Sequence, residues 1–252
     1  RRRRAAAQAR LGLTAPAMPP LSVTVVIPSY NERDNMAPLL TRVARALAGR
    51  THELLVVDDL SPDGTGAEVT RLAKTIPWVR LVTKTRREGI GAALRMGYDL
   101  ARHDVIVSLD ADLSFSPEDI PRLLERIDAG CAMALGCRHG GQGGYETPNG
   151  RIWLKFLVSR VGNRIVRWAT GLTVRDYSAN FRAIRRDVWV SIKTRENDNS
   201  LLLEMILKVH RGGFRLEEVP VTFSDRVAGR SKLNLAVEAP KFLFKLIRLA
   251  RG

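Results

Sequence analysis

From Ser22 onward the chain alternates short β-branched runs with stretches of helical periodicity, a pattern that confines it to an α/β fold: a mostly parallel sheet wrapped by helices. The runs expected as strands are Ser22–Ile27, Glu53–Val57, Val79–Thr83, Asp104–Leu109 and Ala132–Gly136. Helices are expected over Met36–Ala48, over Gly66–Lys74 behind Thr65, and over Gly89–Ala101. Ser116 followed by Pro117 reads as an N-cap with proline in the first turn, opening a helix that runs to Asp128. In a doubly wound sheet, ligands bind beyond the carboxyl ends of the strands. Chemistry is therefore expected just after Ile27, Val57, Thr83 and Leu109.

Three of those four positions carry acids. Pro28-Ser29-Tyr30-Asn31-Glu32 follows the first strand, Asp58-Asp59 with Asp63 follows the second, and Asp110-Ala111-Asp112 follows the fourth. A lone Asp-x-Asp is common in turns, but here the topology gathers all three clusters into one crevice. Two carboxylates one residue apart can hold a hard divalent cation that also bridges a substrate diphosphate.

The second half differs in charge. The chain of 252 residues has a formal charge of +15, yet residues 21–130 carry −2 and residues 131–252 carry +12. The basic half points to an anionic partner: a phosphorylated ligand, a membrane surface or nucleic acid. With 6% aromatic residues, no stacking platform and no helix-turn-helix, a nucleic-acid binder is a poor fit. A dinucleotide fingerprint is also a poor fit, because Gly64-Thr65-Gly66 and Gly89-Ile90-Gly91 lack the third glycine at the right place and follow no strand directly. Cys131 and Cys137 are too few for a disulfide framework and read as reduced thiols. His52, His103, His139 and His210 have no zinc spacing and read as surface or capping residues.

Beyond the sheet, Gly140–Gly144 reads as a linker or a mobile lid. A helix over Ile152–Thr170, the segment Phe181–Ile184, a helix over Ser200–Arg211, and strands over Phe214–Val219 and Val221–Ser224 are expected after it. No 20-residue apolar run exists. In Pro240–Gly252, Lys241, Lys245 and Arg248 recur at i, i+4 and i+7 among apolar residues, the pattern of an interfacial helix. The Arg/Ala-rich residues 1–20 are set aside as a disordered basic tail.

The segments Val25–Asn35, Val56–Thr65 and Leu109–Ser114 resemble the nucleotide-sugar half of inverting family 2 glycosyltransferases of the GT-A fold. Gly136–His139, Leu157–Asn163, Asp176–Arg182, Glu218–Arg226 and Gly229–Leu233 resemble, in order, the dolichol-phosphate (polyprenol-phosphate) mannose synthase branch. The resemblance implies a GT-A domain over 21–234, with a donor half at 21–130 and an acceptor half at 131–234, followed by the interfacial helix at 235–252. It implies that Pro28, Tyr30, Glu32, Val57, Asp58 and Asp59 cradle the donor nucleoside. Asp110, Ala111 and Asp112 would sit at the diphosphate, with Asp110, Asp112 and Ser114 around Mg²⁺ or Mn²⁺. Arg138, Lys155, Ser159, Arg226 and Lys232 would grip the acceptor phosphate, and Asp110, Asp112 and Arg226 would carry catalysis. Ser114 stands where some relatives have Gln, Lys155 where they often have Arg, and Asn180 where Gly or Ser is usual.

The expected activity is transfer of mannose from GDP-mannose to a polyprenyl phosphate at the cytoplasmic face of a membrane, with a small membrane-anchoring partner as a further expectation. A UDP-glucose or UDP-N-acetylglucosamine transferase on the same scaffold is the alternative. A nucleotidyltransferase is disfavoured, since Pro28–Glu32 replaces its Gly-rich basic phosphate loop.

Overall fold

All seven residues of strand β1 (Val23–Ser29) are buried, because helices cover both faces of the sheet to which it belongs. The computed structural model describes residues 19–139, 143–145, 150–224, 245, 246, 248 and 249. The strands that join β1 are β2 (His52–Asp58), β3 (Val79–Thr83), β4 (Val105–Ser108), β5 (Met133–Cys137), β7 (Arg182–Arg185) and β8 (Leu216–Pro220). Their order is β3-β2-β1-β4-β7-β5-β8. A separate parallel pair joins β6 (Gly144–Tyr145) to β9 (Thr222–Phe223).

Alternate strand residues sort to opposite faces. On one face Val23, Val25, Ile27, Leu54 and Val56 pack with Met36, Leu39, Leu40 and Val43 of α1 (Arg33–Ala46). Helix α2 (Thr65–Ala73) adds Val69 and Leu72, and α4 (Ile120–Asp128) adds Ile120, Leu123, Leu124 and Ile127. On the other face Val26, Leu55, Val57 and Ile106 meet Ala93, Leu94 and Tyr98 of α3 (Ile90–Leu100). Behind them lie α6 (Arg186–Ile192) and α7 (Ser200–Arg211), and α5 (Gly150–Thr170) contributes Val166.

The sheet is mostly parallel, as expected, with one exception. Strand β7, expected only as a segment at Phe181–Ile184, runs antiparallel between β4 and β5. Its first residue, Arg182, sits opposite both Ser108 and Leu135. The residues leading into β7 are thereby placed beside the ends of β4 and β5, where those two parallel strands finish.

The C-terminal stretch is described at four residues, and all four make contacts with the rest of the protein. Leu246 is buried in the second core, and Leu249 packs against it. Lys245 pairs with Glu196 at 2.6 Å and with Asp198, and Arg248 pairs with Glu196. Two of the three cations expected to face a membrane are thus matched to counter-charges on the loop before α7; Lys241 lies outside the described residues. Within the glycine-rich loop, Gly144 N–H donates to the Val221 carbonyl at 3.2 Å, while 140–142 lie outside the described residues. The tail at 1–18 also lies outside them.

The same loop, 193–199, is docked on α3. Arg95 donates to the carbonyls of Thr194 (2.8 Å) and Glu196 and to the Asn197 side chain (2.5 Å). One turn earlier Gly91 lets the backbones touch: a Cβ there would lie 2.3 Å from the Asp198 backbone. This packing, not phosphate binding, accounts for the glycine. Gly91→Ala is expected to destabilise the protein by about 1–3 kcal/mol. Urea unfolding would show a lower midpoint at unchanged m, and an unchanged midpoint would contradict the packing role.

Candidate active site

The first two acidic turns are stitched into each other. Asn31, in the left-handed region at φ 57°, donates its N–H to Ser61 Oγ at 2.9 Å. Glu32 N–H donates to Thr65 Oγ1 at 3.0 Å, and Asp59 N–H to the Ser29 carbonyl at 2.9 Å. Asp58 accepts from Ser61 N–H at 3.1 Å and from the Ser61 hydroxyl. Asp63 accepts from Thr65 N–H (2.9 Å) and Arg33 N–H (3.2 Å), which fixes the starts of α2 and α1. Pro28 and Val57 face each other in the β1–β2 register, directly below these turns.

Asp59 lies deeper. Its carboxylate accepts from Lys84 Nζ at 2.7 Å, Glu88 N–H at 3.0 Å and Gly89 N–H at 2.8 Å. Burial alone raises its pKa, but Lys84 and the two N–H groups outweigh burial and hold it below the usual carboxylate range. Both Asp59 and Lys84 are buried, so the pair locks the β2 turn to the β3–α3 connection. Tyr30 stands at the rim, with the Arg87 guanidinium 4.0 Å above its ring. Glu32 accepts from Asn35 Nδ2 at 2.7 Å.

The third acidic turn follows β4. Asp112 Oδ1 accepts from Ser114 N–H (3.0 Å) and the Ser114 hydroxyl (2.5 Å), a tight turn in which Leu113 takes φ 60°. Ser114 therefore orients Asp112 and turns its hydroxyl toward that carboxylate. Asp110 Oδ1 accepts from Asn180 Nδ2 at 2.9 Å, and Asn180 is anchored in turn by Ser108 Oγ–H, which donates to its carbonyl at 3.2 Å. Among the described residues no set of three or more His, Cys, Asp or Glu side chains forms a complete metal cage. Two hard carboxylates one residue apart suit a cation whose remaining ligands are phosphate and water oxygens.

The end of β5 carries the opposite charge. Arg138 donates to Asp176 from Nε (2.7 Å), from Nη2 (2.9 Å) and from its backbone N–H (3.2 Å), and from Nη2 to Ser178 Oγ (2.7 Å). Asp176 is 0% exposed. Burial pushes its carboxyl up, and Arg138 more than reverses this, holding it at about 2. Next to Arg138, His139 Nε2 lies 3.0 Å from Ser159 Oγ of α5, and Lys155 lies one helical turn before Ser159. Segment 176–182 thus touches both sides: Asp176 and Ser178 hold Arg138, and Asn180 holds Asp110. Arg182, fully buried, donates to the carbonyls of Leu202 (2.9 Å), Tyr177 (3.5 Å) and Ala179.

Arg226 and Lys232 lie outside the described residues. The chain leading to Arg226 is described as far as Ser224, whose N–H donates to the Ser114 carbonyl at 2.9 Å, while Phe223 bridges to Phe115. It therefore leaves the described structure beside the Asp110–Ser114 turn. Sequence reasoning did not single out Lys84, Asn163, or the contact of His139 with Ser159. Those pairings join residues 20 or more positions apart, or the two ends of a helical turn, and no local spacing announces them.

Comparison with known proteins identifies the family and the fold. The family model "Glycosyl transferase family 2" matches residues 24–190. The chain is 37% identical over 221 residues to a polyprenol monophosphomannose synthase of Mycolicibacterium smegmatis, covering 83% of this chain and 80% of that protein. It is 35% identical over 217 residues to a dolichol-phosphate mannosyltransferase of Pyrococcus furiosus, covering 84% of this chain but 59% of that longer protein. Among solved structures, glucosyl-3-phosphoglycerate synthase of Mycobacterium tuberculosis, crystallised with Mn²⁺, UDP and glucosyl-3-phosphoglycerate, superposes with a TM-score of 0.69 at 18% identity. That match covers 91% of this chain and 80% of that one. The fold is the GT-A arrangement. The chain belongs to glycosyl transferase family 2 and is a glycosyltransferase.

Asp176 yields a pH prediction. Its folded pKa of about 2 against an ordinary 3.8 corresponds to roughly 2 kcal/mol, present above the ordinary value and lost as pH falls toward 2. In urea titrations the stability gap between wild type and Asp176→Asn is therefore expected to shrink between pH 4 and pH 2. A gap independent of pH would contradict the ion pair.

Proposed function

We propose that this glycosyltransferase moves mannose from GDP-mannose to a polyprenyl (dolichyl) phosphate, inverting the anomeric centre to give a β-linked lipid-phosphate sugar. One observation carries the reading: segment 176–182 bonds both to a carboxylate of the Asp110–Asp112 pair and to the phosphate-gripping candidate Arg138. Similarity to relatives named for mannose transfer to polyprenol and dolichol phosphates supports the choice of substrates.

In this reading 21–130 is the donor half and 131–234 the acceptor half. Pro28, Tyr30, Glu32, Val57, Asp58 and Asp59 shape the nucleoside pocket, with Asp58 and Asp59 acting through the turns they hold. Asp110 and Asp112, with Ala111 between them, hold Mg²⁺ or Mn²⁺, and Ser114 sets the direction of Asp112. When bound, the cation neutralises the departing nucleoside diphosphate. Arg138, Lys155, Ser159, Arg226 and Lys232 align the acceptor phosphate against the anomeric carbon. With a second pKa of about 6, that phosphate is already an ionised nucleophile at neutral pH, so no strong general base is required. Among the described residues no helix is long and apolar enough to cross a membrane. The protein would meet its lipid substrate at the cytoplasmic face of a membrane, alone or through a small anchoring partner.

The test is incubation with GDP-mannose, UDP-glucose or UDP-N-acetylglucosamine, each with Mn²⁺ and a short polyprenyl phosphate, followed by identification of the glycolipid. A β-mannosyl lipid phosphate is expected from GDP-mannose alone. A glycolipid formed only from a UDP-sugar would reassign the donor, and no glycolipid from any donor would overturn the reading. Asp112→Ala is expected to lower transfer by about 100-fold or more with the fold intact; wild-type turnover in that variant would remove the metal assignment.

A further inference from the structure

The hydroxyl of Ser159 has one proton and two lone pairs to place. Asn163, one turn further along α5, donates to it from Nδ2 at 3.3 Å. That amide cannot serve the hydroxyl the other way round, because its Oδ1 accepts the Tyr177 N–H at 3.0 Å, which fixes which end faces Ser159. One lone pair is thus used. The second neighbour is His139 Nε2, 3.0 Å away. If Nε2 carries a proton, it donates into the second lone pair, and the Ser159 proton is directed away from the ring. If Nε2 is bare, the Ser159 proton turns to the ring and the hydroxyl shows a lone pair to its ligand. The first state suits an anionic oxygen and the second repels one.

We infer that His139 is a positioning residue for the acceptor phosphate: by donating from Nε2 to Ser159 it commits the Ser159 proton to a phosphate oxygen beside Arg138. The inference rests on the proposed function, which makes Ser159 an acceptor residue, and adds a residue that the sequence reading left as surface or capping. The position agrees with it, since His139 adjoins Arg138, whose guanidinium is already held in place by Asp176 and Ser178. Among the described residues the charged groups acting on the ring are Asp176, Arg138 and Arg160. Burial keeps the imidazole below its ordinary 6.5; Asp176 opposes that shift, and Arg138 and Arg160 reinforce it. Near neutral pH the ring is therefore mainly neutral, and the bound phosphate selects the tautomer with the proton on Nε2. At lower pH the imidazolium donates from Nε2 in every molecule, so the ratio of wild-type acceptor KM to that of His139→Leu, in which the same phosphate titrates, is expected to fall as pH drops through the His139 pKa.

The experiment measures kcat and both KM values for wild type, His139→Leu, His139→Gln, Ser159→Ala and the His139→Leu/Ser159→Ala double variant, using a short polyprenyl phosphate across pH 5 to 8. His139→Leu is expected to raise acceptor KM roughly 10-fold while donor KM stays at the wild-type value. His139→Gln, whose amide can still donate, should restore most of the affinity and leave acceptor KM changing with pH only as the phosphate itself titrates. The double variant should be no worse than Ser159→Ala, because both changes remove one interaction. An unchanged acceptor KM in His139→Leu, or fully additive losses in the double variant, would overturn the assignment while leaving the proposed reaction standing. Wild-type protein that transfers to no polyprenyl phosphate would instead overturn the proposed reaction and this inference with it.

Discussion

The site depends on one buried ion pair. The carboxylate of Asp176 has no access to solvent, and an unpaired charge in that position costs several kcal/mol, so it must have a partner held in fixed geometry. Arg138 supplies it, with two guanidinium nitrogens and its own backbone N–H. The bond fixes the end of β5 to the segment that precedes β7. That segment then turns antiparallel into the sheet between β4 and β5, and on its way delivers Asn180 to Asp110. The basic and acidic sides of the crevice are thus positioned by the same seven residues.

The acids of the first half divide the work between structure and chemistry. Asp58 and Asp63 are committed to the turns that start α1 and α2, and Asp59 to a buried pair with Lys84 and to the start of α3. They make the crevice wall rigid. Asp110 and Asp112 stand at the end of β4, each oriented by a donor: Asn180 for the first, Ser114 for the second. Two carboxylates held in this way can receive a cation with little reorganisation, which is what electrostatic assistance to a leaving diphosphate requires.

Much of this was legible in the chain. The central parallel strands β1, β2 and β4 are recognisable because each is buried on both faces and so reads as a nearly continuous apolar run, and their carboxyl ends locate the crevice. Strand β7 was harder. Phe181 to Arg185 contains two arginines in five residues, and one of them, Arg182, is buried among main-chain carbonyls that no sequence pattern reveals. The basic stripe of the C-terminal stretch has the periodicity of a membrane face. That periodicity is equally satisfied by Glu196 and Asp198, two acids on a distant loop that meet Lys245 and Arg248 only in the folded chain. His139 has no metal spacing in the sequence, and its partner Ser159 lies 20 residues on, across the β5–α5 connection.

In the proposed reading Asp110 and Asp112 hold the cation and Arg138 holds the acceptor phosphate within one crevice. The most direct measurement is paramagnetic broadening of the ³¹P resonance of a short polyprenyl phosphate, bound to the protein together with Mn²⁺ and a nucleoside diphosphate. Strong broadening that disappears in Asp112→Ala, and again when Arg138 is replaced, is the result this arrangement predicts. A phosphate that binds with wild-type affinity yet stays unaffected by Mn²⁺ would place the two sites apart and contradict it.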